Sequence, residues 1–157
     1  MTDVKRRIFL QGSLTASTVG IAVGAGLVTP QAVIAAWSEA AFKAKEIPAA
    51  LTALMGNDTT EASEAIKIKA PDIAENGAVV PVTVDSEIEG IESVAVIASG
   101  NETPLIAAFE LGEGALGFVS TRIKMAKTAD VIAVVQTPDG LLSAAKPVKV
   151  TIGGCGG

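Results

Sequence analysis

Two segments near the carboxyl end, VIAVV at residues 131–135 and KPVKVTI at residues 146–152, decide the fold class of this chain. In the second segment Val148, Val150 and Ile152 alternate with polar residues, which is the period-two pattern of a strand with one buried face. The first segment is continuously apolar, which is typical of a central strand. The turn signal Pro138-Asp139-Gly140 lies between them. Both segments therefore predict β-strands.

The same pattern of short apolar segments separated by turn residues extends back to about residue 64. Pro81 lies inside one of these segments, which indicates an edge strand or a bulge there. The predicted strands are 64–70, 78–84, 91–99, 104–110, 116–124, 129–137 and 146–152. Short strands with turn signals every eight to twelve residues or so, among them Asn76-Gly77 and Gly100-Asn101, predict an all-β protein, an immunoglobulin-like antiparallel β-sandwich.

A helical pattern precedes the strands. Apolar residues recur at helical spacing from Trp37 to Ala44, and Pro48 interrupts the pattern because proline clashes with the preceding turn. A second short helix that starts at Pro48 and carries Leu51, Leu54 and Met55 is predicted, with its end at residues 56–58. We expect this short N-terminal helix to pack on its own sandwich, with packing on a partner as the alternative.

The first 35 residues have the pattern of an export signal. Lys5-Arg6-Arg7 is followed by a mildly apolar stretch at residues 14–28 and by small residues that suit cleavage after Ala35 or Ala36. Adjacent arginines before Phe9 and Leu10 are typical of the bacterial twin-arginine signal. The sequence thus predicts a signal peptide over 1–35, a sandwich domain over 36–152 and periplasmic localisation. An uncleaved membrane anchor is the alternative.

Charge excludes some classes of partner. The chain has 12 basic and 17 acidic residues. Residues 1–35 hold three of the bases and one of the acids, which leaves 12 − 3 = 9 bases and 17 − 1 = 16 acids, a net charge of −7. An acidic domain does not suit nucleic acid or a stable contact with an anionic membrane, because both need a basic surface.

The candidate site is Cys155, the single cysteine, in the sequence GGCGG of residues 153–157. The flanking residues Gly153, Gly154, Gly156 and Gly157 give the backbone maximal freedom, which predicts a flexible arm. The alternative is a buried, unreactive cysteine, but the flanking glycines offer no apolar side chain with which it could join a core. The chain has no histidine and no second cysteine, so neither a metal site nor activated nucleophilic catalysis is expected. We expect no cofactor, and a thiol that holds a covalent adduct.

The arm and several strand segments resemble one known family. They are VKVTIGGCGG at the end of the sequence, Ile123-Lys-Met-Ala, the VIAVV strand, Val80-Pro-Val-Thr-Val, Pro104-Leu-Ile-Ala-Ala-Phe and the twin-arginine leader. With these segments the chain resembles the SoxY family, the sulfur-carrier subunits of the bacterial thiosulfate-oxidising (Sox) system. The resemblance covers most of the chain. Its specific part is the glycine-cysteine segment at residues 153–157.

The resemblance implies a carrier that is not itself an enzyme. Cys155 would hold thiosulfate-derived sulfur as a cysteine S-thiosulfonate. The implied stable partner is SoxZ, in a heterodimer exported as one unit. The implied transient partners are the SoxAX cytochrome, which joins thiosulfate to the cysteine, the manganese hydrolase SoxB, which releases sulfate, and a sulfane dehydrogenase.

Two other interpretations of the Cys155 thiol remain as alternatives. An exported structural module could dimerise through a Cys155 disulfide, although that leaves the flanking glycines unexplained. A thiol oxidoreductase would ordinarily use a second cysteine, which the sequence lacks.

Two charged groups are weighed separately. The bases Arg122, Lys124 and Lys127 could attract an anionic adduct or an acidic partner, and a solvated strand face is the favoured interpretation. Glu87, Glu89 and Glu92 are interpreted as solubilising.

Overall fold

The computed structural model describes residues 38–151. Within that range it has two helices, α1 (Glu39–Lys43) and α2 (Ile47–Met55), and nine strands. The strands are β1 (Thr60–Ala62), β2 (Ile66–Lys69), β3 (Ile73–Ala74), β4 (Val80–Ser86), β5 (Ser93–Ala98), β6 (Leu105–Glu110), β7 (Gly117–Ile123), β8 (Ala129–Thr137) and β9 (Gly140–Val150). The predicted signal peptide, Trp37, Ile152 and the glycine arm lie outside the described residues.

The strands form two sheets. The larger has the order β1-β9-β8-β5-β6, with β3 also paired to β9, and the smaller has the order β2-β4-β7. The predicted all-β sandwich is confirmed. Most pairs are antiparallel, but β1 and β3 both run parallel to β9. These two strands are too short to show a period of two, so the sequence pattern did not predict them.

The two sheets bury a common core made mainly of valine. Val80, Val82 and Val84 of β4 are at most 1% exposed and pack in the same cluster as Val96 of β5 and Val131 of β8. Full burial of one such side chain contributes roughly 1.5–3 kcal/mol. Because β-branched side chains suit a pleated surface, the core explains why so few aromatic residues are needed.

Both helices lie on the outer face of the larger sheet. Ala41 of α1 and Leu51 of α2 pack in one cluster with Ala95, Ile97 and Val134 of the sheet. Strands β5 and β8 are therefore covered on both faces, which accounts for the unbroken apolar run at residues 131–135. The helices pack on their own sandwich, as the sequence analysis favoured.

Local signals set the ends of the helices. The Ser38 hydroxyl accepts a hydrogen bond from the Ala41 amide, which caps α1. Pro48 stands in the first turn of α2, where its missing amide hydrogen costs nothing. Gly56 ends α2 in the left-handed conformation, with φ of 75°. No helix within residues 38–151 is long and apolar enough to cross a membrane.

Two strand predictions need correction. β9 begins at Gly140 and not at residue 146, because the chain reverses tightly and Thr137 pairs with Gly140. Residues 141–145 are leucine, serine and alanine, which hid the strand because they do not alternate in polarity. β4 is the central strand of its sheet, so the edge interpretation of Pro81 is wrong for the strand. The edge interpretation is correct only at Pro81 itself, because the pairing of β4 with β2 stops at Thr83 and does not reach Pro81.

Candidate functional site

The described chain ends one residue after β9, at Thr151. Cys155 and its four flanking glycines follow outside the described residues. Four residues cannot span more than about 14 Å. Whatever surface of this sandwich the thiol meets therefore lies near the end of β9, and the site is built from the groups around that end.

Strand β3 holds the last residues of β9 in place. The amide of Lys149 donates to the carbonyl of Asp72 at 2.9 Å, and the amide of Thr151 donates to that of Ala74 at 3.0 Å. The Thr151 hydroxyl donates to the same Ala74 oxygen at 3.4 Å. Pairing thus continues to the last described residue, which is fixed at this point of the sandwich.

A loop of residues 124–128, which we call the basic loop, passes beside that point. Its contact with β9 is made by the Thr128 hydroxyl, which accepts from the Val150 amide at 3.0 Å and donates to the Val150 carbonyl at 3.3 Å. Thr128 thereby takes the place of a strand partner for Val150. The basic loop is consequently tied to Val150, the last residue of β9.

The basic loop is also held from two other loops. The Asn101 side chain donates to the Lys124 carbonyl at 2.7 Å and accepts from the Ala126 amide at 2.8 Å. The Met125 amide donates to the carbonyl of Gly77 at 2.7 Å, and the Met125 side chain is only 2% exposed. Hydrogen bonds from three directions give the loop a defined backbone course.

Gly77 is required where the basic loop and β9 approach each other. A Cβ atom at this position would lie 2.5 Å from the carbonyl oxygen of Met125 and 2.8 Å from Cγ1 of Val150. Both distances are shorter than van der Waals contact, and the first involves backbone. The sequence signal Asn76-Gly77 predicted only a turn, whereas the structure shows a close approach between segments.

The predicted basic cluster is divided by the structure. Lys124 and Lys127 are exposed in the basic loop, whereas Arg122 lies in β7, opposite Pro81 of β4. None of the three makes an ion pair with a residue in the range 38–151. By contrast, Lys146 pairs with Asp72 at 3.0 Å. Both lysines of the basic loop are therefore exposed and without an ion pair within the described range.

The Lys127 side chain follows a defined path. A Cβ atom placed on Gly100 would lie 3.0 Å from its Cγ and 3.2 Å from its Cε. The aliphatic part of Lys127 thus lies along the Gly100 backbone, where any larger residue would displace it. Covering apolar surface with the stem while leaving the ammonium in water is ordinary behaviour for lysine.

The predicted acidic patch lies at the other end of the sandwich. Residues 87–92 follow β4, and β4 begins at the end where β9 finishes. Glu87 is 3.8 Å from Lys67, in keeping with a surface role. Across residues 38–151, acidic, histidine and cysteine side chains form no group that could hold a metal ion.

An exposed apolar surface lies on the edge of the smaller sheet. Leu116 is 83% exposed and Phe118, in edge strand β7, is 53% exposed. Phe118 pairs with Asp85 on the outer face of the sheet. Large apolar side chains that stand together in water are a common feature of protein contact surfaces.

Comparisons with known proteins agree with this architecture. Residues 51–155 match the family described as sulfur oxidation protein SoxY. The structure is similar to that of the sulfur carrier protein SoxY from Chlorobium limicola f thiosulfatophilum, with 43% identity and a TM-score of 0.60, covering 66% of this chain and 94% of that one. No curated protein is similar to the chain in sequence.

A more distant likeness concerns the fold alone. The superoxide reductase (neelaredoxin) from Ignicoccus hospitalis is 19% identical, with a TM-score of 0.50, over 56% of this chain and 81% of that one.

The family match over residues 51–155 and the similarity to the Chlorobium sulfur carrier protein agree with a β-sandwich that has a single cysteine in its sequence. Together they define a carrier protein of sulfur oxidation. The chain belongs to the SoxY family.

Proposed function

We propose that this protein carries sulfur intermediates of thiosulfate oxidation in the periplasm, bound covalently to Cys155. The observation that supports this most directly is the extent of the family match, which runs to Cys155 itself. The chain offers no other cysteine and no histidine. A carrier needs one reachable thiol, because the thiolate is the form that attacks sulfur.

The adduct forms by an oxidation that a partner must complete. The Cys155 thiol loses its proton and bonds to the outer sulfur of thiosulfate, giving a cysteine S-thiosulfonate and two electrons. In the proposed pathway the SoxAX cytochrome accepts both electrons. SoxB then adds water across the bond between the sulfane sulfur and the sulfonate group, which releases sulfate and two protons and leaves a cysteine persulfide. The sulfane dehydrogenase oxidises that remaining sulfur.

The glycine arm suits this sequence of partners. The active sites of different proteins must each reach the same sulfur, and residues without side chains give an arm of small cross-section. The carrier supplies no acid, base or metal to these reactions. Its contribution is to present the substrate, so we assign no catalytic residue to it.

We assign the stable partner, SoxZ, to the exposed edge at β7. Leu116 and Phe118 stand in water there, and the edge strand has unpaired backbone groups on its outer side. A partner sandwich that covered this edge would remove both apolar side chains from water. Export as a folded heterodimer fits the twin-arginine leader, since that pathway carries folded proteins.

The decisive experiment is an intact-mass spectrum of the protein from its own host, grown on thiosulfate and analysed with and without reductant. We expect reducible thiosulfonate, sulfonate or sulfane adducts on the peptide that contains Cys155, and a mature chain that starts after Ala35 or Ala36. A bare thiol, or only a symmetrical Cys155 disulfide, would instead support the structural dimer.

A further inference from the structure

The turn at residues 76–79 contains the one asparagine-glycine pair of the sequence, Asn76-Gly77. An asparagine before glycine loses its side-chain amide more readily than other asparagines. The reason is that glycine has no side chain to hinder attack by its own backbone nitrogen. Asn76 is exposed and Gly77 is half-buried, so water and base can reach the pair.

The side chain of Asn76 is folded back over the backbone with which it would react. Its Oδ1 accepts from the Ala78 amide at 2.9 Å, and its backbone carbonyl accepts from the Val79 amide at 3.3 Å. The first contact is an Asx turn, whose ring encloses the backbone nitrogen of Gly77. Neither that nitrogen nor Nδ2 of Asn76 has a hydrogen-bond partner within residues 38–151. The nucleophile and the leaving group are thus both unrestrained, while the carbonyl between them is held.

The Ala78 amide also lies where negative charge develops. When the deprotonated Gly77 nitrogen attacks Cγ of Asn76, the charge forms on Oδ1, and the donor already bonded to that oxygen stabilises it. The new bond from nitrogen to Cγ closes a cyclic succinimide. The bond from Cγ to Nδ2 breaks, and Nδ2 leaves as ammonia after taking up the proton that Gly77 lost. Water then opens the ring at either carbonyl, which gives aspartate or isoaspartate.

The other two asparagines of the chain lack part of this arrangement. Asn101 uses both polar atoms of its side chain, since Nδ2 donates to the Lys124 carbonyl at 2.7 Å and Oδ1 accepts from the Ala126 amide at 2.8 Å. Asn57 forms the same kind of Asx turn, with Oδ1 3.1 Å from the amide of the second residue after it. However, Asp58 follows it, and a charged side chain there hinders formation of a backbone anion. Asn57 therefore shares the turn of Asn76 and lacks the glycine.

The packing of the sandwich requires the glycine of this pair. A Cβ atom at Gly77 would lie 2.5 Å from the Met125 carbonyl oxygen, so a side chain would displace backbone. The Gly77 carbonyl in turn accepts from the Met125 amide at 2.7 Å. Isoaspartate adds one methylene group to the backbone immediately before this contact. The lengthened chain cannot keep both the turn and the bond to Met125 while the basic loop stays in place.

We propose that Asn76 is a site of spontaneous deamidation, and that its isoaspartate product releases the basic loop from the turn at residues 76–79. The reaction needs only water and base. The inference does not depend on what Cys155 carries, so its outcome and that of the carrier function are separate.

The test follows the purified protein during incubation in mildly alkaline buffer, with peptide mapping by mass spectrometry. Deamidation raises the mass of a peptide by about 1 Da, and a protein isoaspartate methyltransferase labels the isoaspartate form. We expect Asn76 to react at least about tenfold faster than Asn57 or Asn101, with isoaspartate among the products. Equal rates at the three sites, or an Asn76 that stays intact, would overturn the proposal.

A synthetic peptide of residues 70–82 gives the rate of the same pair without the fold. Because the turn holds the Asn76 carbonyl and supplies the Ala78 donor, the folded protein should react at least as fast as the peptide. A slower reaction in the folded protein would show that the turn protects Asn76, and the proposal would fail.

The effect on the basic loop is measured on the isoaspartate form of the aged protein, isolated by chromatography. Amide hydrogen exchange at Met125 should accelerate by at least about threefold. The matched control is Asn76→Asp, which adds the same charge, keeps the normal backbone and keeps an acceptor for the Ala78 amide. Its exchange at Met125 should equal that of the unchanged protein. If the isoaspartate form and Asn76→Asp exchange alike, the proposed release of the basic loop is refuted.

Discussion

The Thr128 hydroxyl makes two hydrogen bonds to one residue, accepting from the Val150 amide at 3.0 Å and donating to the Val150 carbonyl at 3.3 Å. A side chain thus completes the pairing of β9 at its carboxyl end. On the other side, β3 supplies the partners of Lys149 and Thr151. The end of β9 is therefore bonded on both sides, although the sandwich has no further full strand there.

Replacing Thr128 by valine tests this relationship. Valine keeps the shape and removes the hydroxyl, so both bonds to Val150 are lost. We expect the free energy of unfolding to fall by about 1 kcal/mol, because water can reach these groups. Amide hydrogen exchange at Val150 should accelerate. Thr128→Ser keeps the hydroxyl and is the control, and equal exchange rates in the two variants would contradict the assignment.

Gly77 and Gly112 form a matched pair of glycines. Gly77→Ala would place a methyl group 2.5 Å from the Met125 carbonyl oxygen, whereas nothing lies within 4 Å of a Cβ at Gly112. We expect Gly77→Ala to lower the free energy of unfolding by roughly 1–3 kcal/mol through overpacking. Gly112→Ala should be nearly neutral. Urea denaturation measures both, and a Gly77→Ala protein as stable as Gly112→Ala would show that the loops separate freely.

Leu51 and Leu116 provide a similar comparison for the helical layer. Leu51 of α2 is 3% exposed against the larger sheet, and Leu116 is 83% exposed. Leu51→Ala should cost about 2–5 kcal/mol, since it removes buried methyl groups and leaves a cavity. Leu116→Ala should change stability by less than about 0.5 kcal/mol. A similar loss in both variants, measured by urea denaturation of the isolated chain, would show that the helices contribute little to the fold.

Most of the sandwich could be predicted from the sequence because its strands carry strong local patterns. Each of the seven predicted segments overlaps a strand of the structure. The first half of β9 was missed because residues 141–145 are leucine, serine and alanine, whose polarity does not alternate. β1 and β3 were missed since a strand of two or three residues depends on its neighbour, and β9 supplies that neighbour only after folding.

The chemistry of the site stays a prediction, and the contacts around the end of β9 were missed from the sequence. Cys155 and its glycines were identified from composition alone, and their placement remains a prediction because they lie outside the described residues. The hydrogen bonds by which Asn101 and Thr128 hold the basic loop in place could not be predicted. Both are ordinary turn residues, and their partners lie more than twenty positions away in the sequence. The signal that existed was the pair Gly100-Asn101, which indicated a turn and gave no partner.

Substituting Cys155 tests the proposed carrier role. Cys155→Ser should abolish thiosulfate-dependent electron transfer in a reconstituted system with SoxZ, SoxAX and SoxB, because the hydroxyl cannot form the sulfur adduct. The free energy of unfolding should stay within about 0.5 kcal/mol of the unchanged protein. Thiosulfate-dependent activity that survives the substitution would exclude the carrier role. An activity lost together with stability would point to a structural role of the cysteine.

The final prediction concerns the edge at β7 and the SoxZ partner assigned to it. Phe118→Ser removes a half-exposed aromatic ring from the outer face of the smaller sheet without touching the core, so the isolated chain should keep its stability. Binding of SoxZ should weaken by tenfold or more, about 1.4 kcal/mol, because aromatic side chains dominate the energy of protein interfaces. Isothermal titration calorimetry measures the affinity. Ser120→Ala, on the same strand and face, is the control and should bind normally. If Phe118→Ser binds as tightly as Ser120→Ala, SoxZ docks elsewhere.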